Sequence, residues 1–102
     1  MKIDLGVEKV LTTSAIIGDE VVNHDGEHLG EIKELLIDPK TGKVEFGILS
    51  FGGFLGIGNK YFAVPYENFS KAEGCYLLDV KRQVLENALL QIEYKGRTFY
   101  VY

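Results

Sequence analysis

The chain has 102 residues, enough for one domain with one modest core. Its apolar fraction of 46% and charged fraction of 25% are those of an ordinary globule, and twelve glycines with two prolines suit short strands joined by tight turns. A net charge of −4, with no basic run longer than Lys81–Arg82, excludes a surface built for a nucleic-acid backbone, and no apolar stretch approaches the ~20 residues of a membrane span.

Met1–Thr13 reads as a lead-in with one irregular strand through Ile3 and Leu5. Asp4, Gly6, Glu8 and Lys9 break up its apolar residues, which is not the pattern of a secretory signal. Thr12–Ser14 offers hydroxyls to cap a single helical turn before Gly18. Asp19–Asn23 is a short strand, and Asp25-Gly26 predicts a type I′ hairpin turn with both residues at positive φ.

Glu27–Asp38 is the return strand. Strict alternation from Ile32 would point Glu34 inward and Leu35 outward. A bulge near Lys33–Glu34 resets the phase and puts Ile32, Leu35 and Ile37 on one face. Asp38-Pro39-Lys40-Thr41-Gly42 is a turn: Pro39 presets φ, Asp38 bonds back to the backbone, and Gly42 leaves at positive φ.

Lys43–Phe51 and Lys60–Tyr66 are the next two strands, rich in β-branched and aromatic residues. A glycine loop joins them into a central hairpin, and Pro65 ends the second strand or holds it at an edge. Glu67–Ser70 reads as a turn. Gly74–Val80 is a fifth strand, and Lys81–Ala88 a helix of about two turns carrying Val84, Leu85 and Ala88 at helical spacing. From Leu90 to Tyr102 a second hairpin turns at Lys95-Gly96, with Leu90, Ile92 and Tyr94 alternating with polar residues. Its last strand, Thr98–Tyr102, is aromatic on both faces, so either it closes the barrel or a second subunit covers it. Strands every 8–12 residues predict an all-β fold, a small barrel of about six strongly bent antiparallel strands with a short helix and a C-terminal hairpin.

Several residues look like chemistry and are read here as structure. His24-Asp25-Gly26-Glu27-His28 holds metal-ligand types, but neighbouring strand residues face opposite ways and part the two imidazoles, so a solvated turn is expected and no metal site. Cys75, alone and in an apolar run, is read as a small core residue, and no internal disulfide is possible. The loop Gly52–Asn59 matches neither a dinucleotide fingerprint nor a P-loop, so no cofactor is expected. Ser14, Ser50 and Ser70 lack the setting of a nucleophile, and Glu31, Glu34, Glu45, Glu67 and Glu73 are read as solvated carboxylates. With no nucleophile, base and orienter in view, the reading is a protein without enzymatic activity.

The run Ile17-Gly18, Val21-Val22, Asp25-Gly26, Leu29-Gly30-Glu31-Ile32-Lys33-Glu34, Ile37-Asp38, Gly42-Lys43-Val44 and Phe62-Ala63-Val64-Pro65-Tyr66 resembles the PRC-barrel family. That family takes its name from the cytoplasmic barrel of the photosynthetic reaction centre H subunit. A similar domain forms the C-terminal half of a ribosome maturation factor. The resemblance covers about residues 14–80, with 81–102 as an extension that departs from the stand-alone members after Ala88.

The resemblance implies an open, bent sheet whose surface docks on other proteins, in RNA-processing, cell-division or stress-related assemblies. The expected protein is therefore a cytoplasmic interaction module that forms a homodimer and binds a protein partner, not nucleic acid. Its expected contact residues are Phe54, Leu55 and Ile57 at the glycine-loop tip and Phe99, Tyr100, Val101 and Tyr102 at the C-terminus. The alternative is a small-ligand or metal-binding stress protein that uses the barrel mouth and the His24/His28 turn.

Overall fold

The computed structural model describes residues 11–52 and 59–102. The lead-in through Ile3 and Leu5 and the loop tip Phe54, Leu55 and Ile57 lie outside the described residues. The elements run α1 (Thr13–Ile16), β1 (Glu20–Val22), β2 (His28–Ile37), β3 (Val44–Phe51), β4 (Lys60–Pro65), a 3-10 turn (Tyr66–Asn68), β5 (Phe69–Ala72), β6 (Cys75–Leu78), α2 (Arg82–Glu86), β7 (Gln91–Tyr94) and β8 (Arg97–Tyr100). Thr12 caps α1 as expected, its hydroxyl accepting from the Ala15 amide at 3.2 Å.

The eight strands form one sheet in the order β5-β6-β1-β2-β3-β4-β8-β7. Its curvature follows from the connection between β4 and β5. β4 stops at Pro65, and a single 3-10 turn carries the chain into β5, at the far end of the six-strand unit. The first and last strands of that unit must therefore come together. Phe69, the first residue of β5, accordingly packs against Gly47 of β3, and the bent sheet wraps a core. Val21, Leu29, Ile32, Leu49, Phe62, Val64, Tyr76, Leu78 and Leu85 fill it, each almost wholly buried. A large apolar side chain so buried contributes roughly 1.5–3 kcal/mol.

The phase shift in β2 is present. The β2–β3 register slips between Ile32 and Glu34, so Ile32 and Leu35 both face the core. A second slip, between Leu36 and Ile37, was not foreseen. It leaves Ile37 half exposed, while Leu36 packs on the sheet's outer side against the cluster of Ile48, Ala63 and Phe99. The 38–42 turn forms as read: the Asp38 carboxylate accepts from the Lys40 amide at 2.9 Å, and Gly42 sits at φ 74°.

Other expectations are corrected. The 23–27 turn is not type I′, because among its residues only Gly26 takes positive φ. The buried Asn23 side chain holds a longer loop, accepting from the amides of Asp25 and Glu27 at 3.0 and 2.9 Å. Phe69 and Ser70, read as the end of a turn, instead open β5, which runs to Ala72 against β6. Two neighbour pairs, β1–β6 and β4–β8, run parallel in a sheet expected to be wholly antiparallel. α2 is shorter than two turns, ending at Glu86. Cys75 is half-buried, on the face of β6 opposite Tyr76 and Leu78, and so is not a core residue.

Candidate interaction surface

The C-terminal hairpin supplies the most unusual surface. Lys95 and Gly96 both take positive φ (49° and 78°), the two-residue turn whose twist matches the strands it joins. β8 meets the barrel at one pair, Phe62 with Tyr100, and the hairpin then leans over the outer face of the sheet. Phe99 on that side is buried against Ile48 and Ala63. Arg97 reaches across to β2 and donates both guanidinium nitrogens to the Glu34 carboxylate, Nη1 to Oε1 at 3.2 Å. These hydrogen bonds hold the Glu34 carboxyl below the usual carboxylate range; burial opposes the shift, and the charges of Arg97 and Lys33 add to it.

The four C-terminal residues expected to form a contact surface therefore divide. Phe99 is buried, and Tyr100 stacks on Phe62 at 5.7 Å as part of the chain's own core. Val101 is half-buried, and its amide donates to the Leu90 carbonyl at 3.0 Å. Tyr102 lies 6.1 Å from the Phe62 ring and stays 46% exposed. Partial burial raises its hydroxyl above the ordinary tyrosine range, and a hydrogen bond with Asn68 opposes that shift.

The open apolar surface lies one strand away. Leu89 is 86% exposed and Leu90 70%, and Ile92 and Tyr94 are also exposed. The alternation of Leu90, Ile92 and Tyr94 was visible in the sequence, but which hairpin strand faces outward was not.

Among the described residues, β7 is also the end of the sheet. Its pairs with β8 are Gln91–Tyr100, Ile92–Phe99, Glu93–Thr98 and Tyr94–Arg97. Tyr94–Arg97 closes a two-residue turn and so exchanges hydrogen bonds with its partner, and the alternation of an antiparallel ladder makes Ile92 do the same. The backbone N–H and C=O groups of Gln91 and Glu93 then point away from β8, along the outer edge of the sheet.

Between the hairpin and the outer ends of β2 and β3 lies a groove of about 650 Å³. Leu36, Ile37, Phe46, Ile92, Tyr94 and Phe99 give it apolar walls, with Asp38, Glu45 and Glu93 as its charged groups. It lies outside the barrel, whose interior is filled by side chains. Within that interior the rings of Tyr66, Phe69 and Tyr76 pack with their centroids within 6.3 Å of one another. Burial, followed by a hydrogen bond with Tyr66 at 3.1 Å, pushes the Tyr76 hydroxyl above the ordinary tyrosine range.

His28 is engaged with Glu20, Nδ1 to Oε2 at 2.7 Å, while His24 sits exposed in the loop. No group of three or more His, Cys, Asp or Glu among the described residues is arranged to hold a metal ion. Among the described residues, no helix is long and apolar enough to cross a membrane.

A small bent sheet closed by one 3-10 turn, with a hairpin added at its edge, defines an all-β barrel with a C-terminal extension. The family profile of the PRC-barrel domain matches residues 8–85, more than half of the chain, and the protein belongs to that family. No curated protein matches it. The hairpin, the groove walls it supplies and the β7 edge all lie beyond the matched residues.

Proposed function

We propose that the protein is a non-enzymatic interaction module of the cytoplasm that docks through its C-terminal hairpin, with a second copy of itself as the first occupant. One observation carries this reading: the terminal strand of the sheet, β7, joins an open hydrogen-bonding edge to a run of exposed apolar side chains. Such an edge is a template for another strand unless charge or a bulge blunts it. Two β7 strands running antiparallel would exchange bonds between Gln91 and Glu93 and would bury Leu89 and Leu90 from both copies. The filled barrel supports a docking role over a ligand-binding one.

Light scattering on the full chain tests the proposal. The expected mass is that of two copies at high concentration, falling to one copy on dilution. The double variant Leu89→Asp/Leu90→Asp alters two exposed side chains and should be monomeric throughout, with an unchanged circular dichroism spectrum. A wild-type chain that is monomeric at every concentration rejects the dimer.

A further inference from the structure

The groove beneath the hairpin carries a second message, in its charge. Its walls are apolar, and its three charged lining groups, Asp38, Glu45 and Glu93, are all carboxylates. Among the described residues, no lysine or arginine lines it. Of the cations close to it in sequence, Lys40 and Lys43 belong to the turn between β2 and β3 and are not among its lining residues, Arg97 pairs with Glu34, and Lys95 lies over the Tyr94 ring at 5.4 Å.

An apolar trough edged by like charges on a chain of net charge −4 repels an acidic partner and attracts a basic one. A second copy of this acidic chain lacks that complementarity, so the groove and the β7 edge differ in what they select.

We propose that the groove binds a cationic, apolar segment of a partner protein. Its apolar side chains would lie against Phe46, Ile92 and Phe99, and its lysines or arginines against Asp38, Glu45 and Glu93. This deepens the docking role proposed above by naming the partner's chemistry.

The probe is a short fluorescein-labelled peptide of alternating lysine and leucine, beside a counterpart with glutamate for every lysine. Fluorescence anisotropy on the full chain should show saturable binding of the lysine peptide that weakens as salt rises, and no binding of the glutamate peptide. Glu45→Lys/Glu93→Lys reverses two exposed charges and should weaken the lysine peptide at least tenfold with the fold intact by circular dichroism. Ile37→Ser, at an exposed wall position, should weaken it several-fold.

Equal binding of the two peptides, or undiminished binding to the charge-reversed variant, overturns the proposal. Mass by light scattering in the same samples reads the dimer separately. A dimer that ignores the lysine peptide sinks the groove and leaves the docking edge standing. Peptide binding by a chain that never dimerises does the reverse.

Discussion

Phe69 lies so close to Gly47 that a Cβ at position 47 would come within 2.9 Å of the ring atom Cε2. The contact joins the first strand of the sheet to the fifth in spatial order and is where the barrel shuts. Phe69 is hemmed in by Tyr66 and Tyr76, so its ring has little room to retreat.

Gly47→Ala is therefore expected to destabilise the fold by about 1–3 kcal/mol, the usual cost of overpacking a filled core. Adding Phe69→Leu to it should recover part of that loss, because the smaller side chain vacates the space the new methyl needs. Urea midpoints for the two single variants and the double variant check this. Strict additivity would show that the two positions do not press on one another.

Asn23 ties the 23–27 loop to the chain just after β6. Its amide nitrogen donates to the Val80 carbonyl at 3.1 Å and to Glu27 Oε1 at 2.8 Å, while its oxygen receives the amides of Asp25 and Glu27. The side chain is 4% exposed, so water cannot replace these bonds without opening the structure. Asn23→Ala should cost on the order of 2–4 kcal/mol, since each buried polar group left unpaired costs about 1–3 kcal/mol. Chemical denaturation measures it, and a loss under half a kcal/mol would mean that solvent reaches the loop.

These two positions show what the sequence could and could not convey. Strand runs, the β2 bulge and the Asp38–Gly42 turn were legible because each depends on neighbours a few residues apart. Gly47 gave no local sign of its role, because the ring that requires a glycine there is 22 residues downstream. Asn23 was read as a strand end beside an Asp-Gly turn, and its bond to Val80, 57 residues away, decided the loop instead. β5 was hidden because its four residues, FSKA, become a strand only by pairing with β6. For the surface, the hairpin was legible from alternation and the Lys95-Gly96 turn. The side it would bury was not, because that depends on Phe99 finding Ile48 and Ala63.

Lys60 links three elements. Its ammonium donates to the carbonyls of Leu85, Glu86 and Ala88 at 3.4, 2.8 and 3.2 Å, and it lies over the Tyr100 ring at 5.0 Å. The last carbonyls of a helix have no partners within it, and a cation placed there both bonds them and meets the negative end of the dipole. Lys60→Met keeps the aliphatic stem and removes the charge. The expected result is a loss of about 1–2 kcal/mol, from hydrogen bonds to a charged group. Hydrogen exchange should quicken first at Asn87 and Ala88, and uniform quickening across the sheet would contradict a local role for the ammonium.

The Glu34–Arg97 pair makes the seating of the hairpin depend on pH. Glu34 titrates lower in the folded chain than in the unfolded one, so its contribution is fully present above the unfolded value of about 4.3 and is lost as pH falls through the folded value. Both side chains are substantially exposed, so the effect is local to the hairpin and weakens with salt. Arg97 also lies over the Phe99 ring at 4.9 Å, a contact that does not titrate with the carboxyl. The cycle of Glu34→Gln and Arg97→Met should therefore show favourable coupling near neutral pH and none once Glu34 is protonated. Arg97→Met alone should still loosen the hairpin in acid, through the lost stacking on Phe99. Amide exchange at Ile92 and Tyr94, the β7 residues bonded to β8, reads the hairpin directly. Coupling that persists undiminished in acid would show that the carboxylate charge is not what holds the hairpin over the sheet.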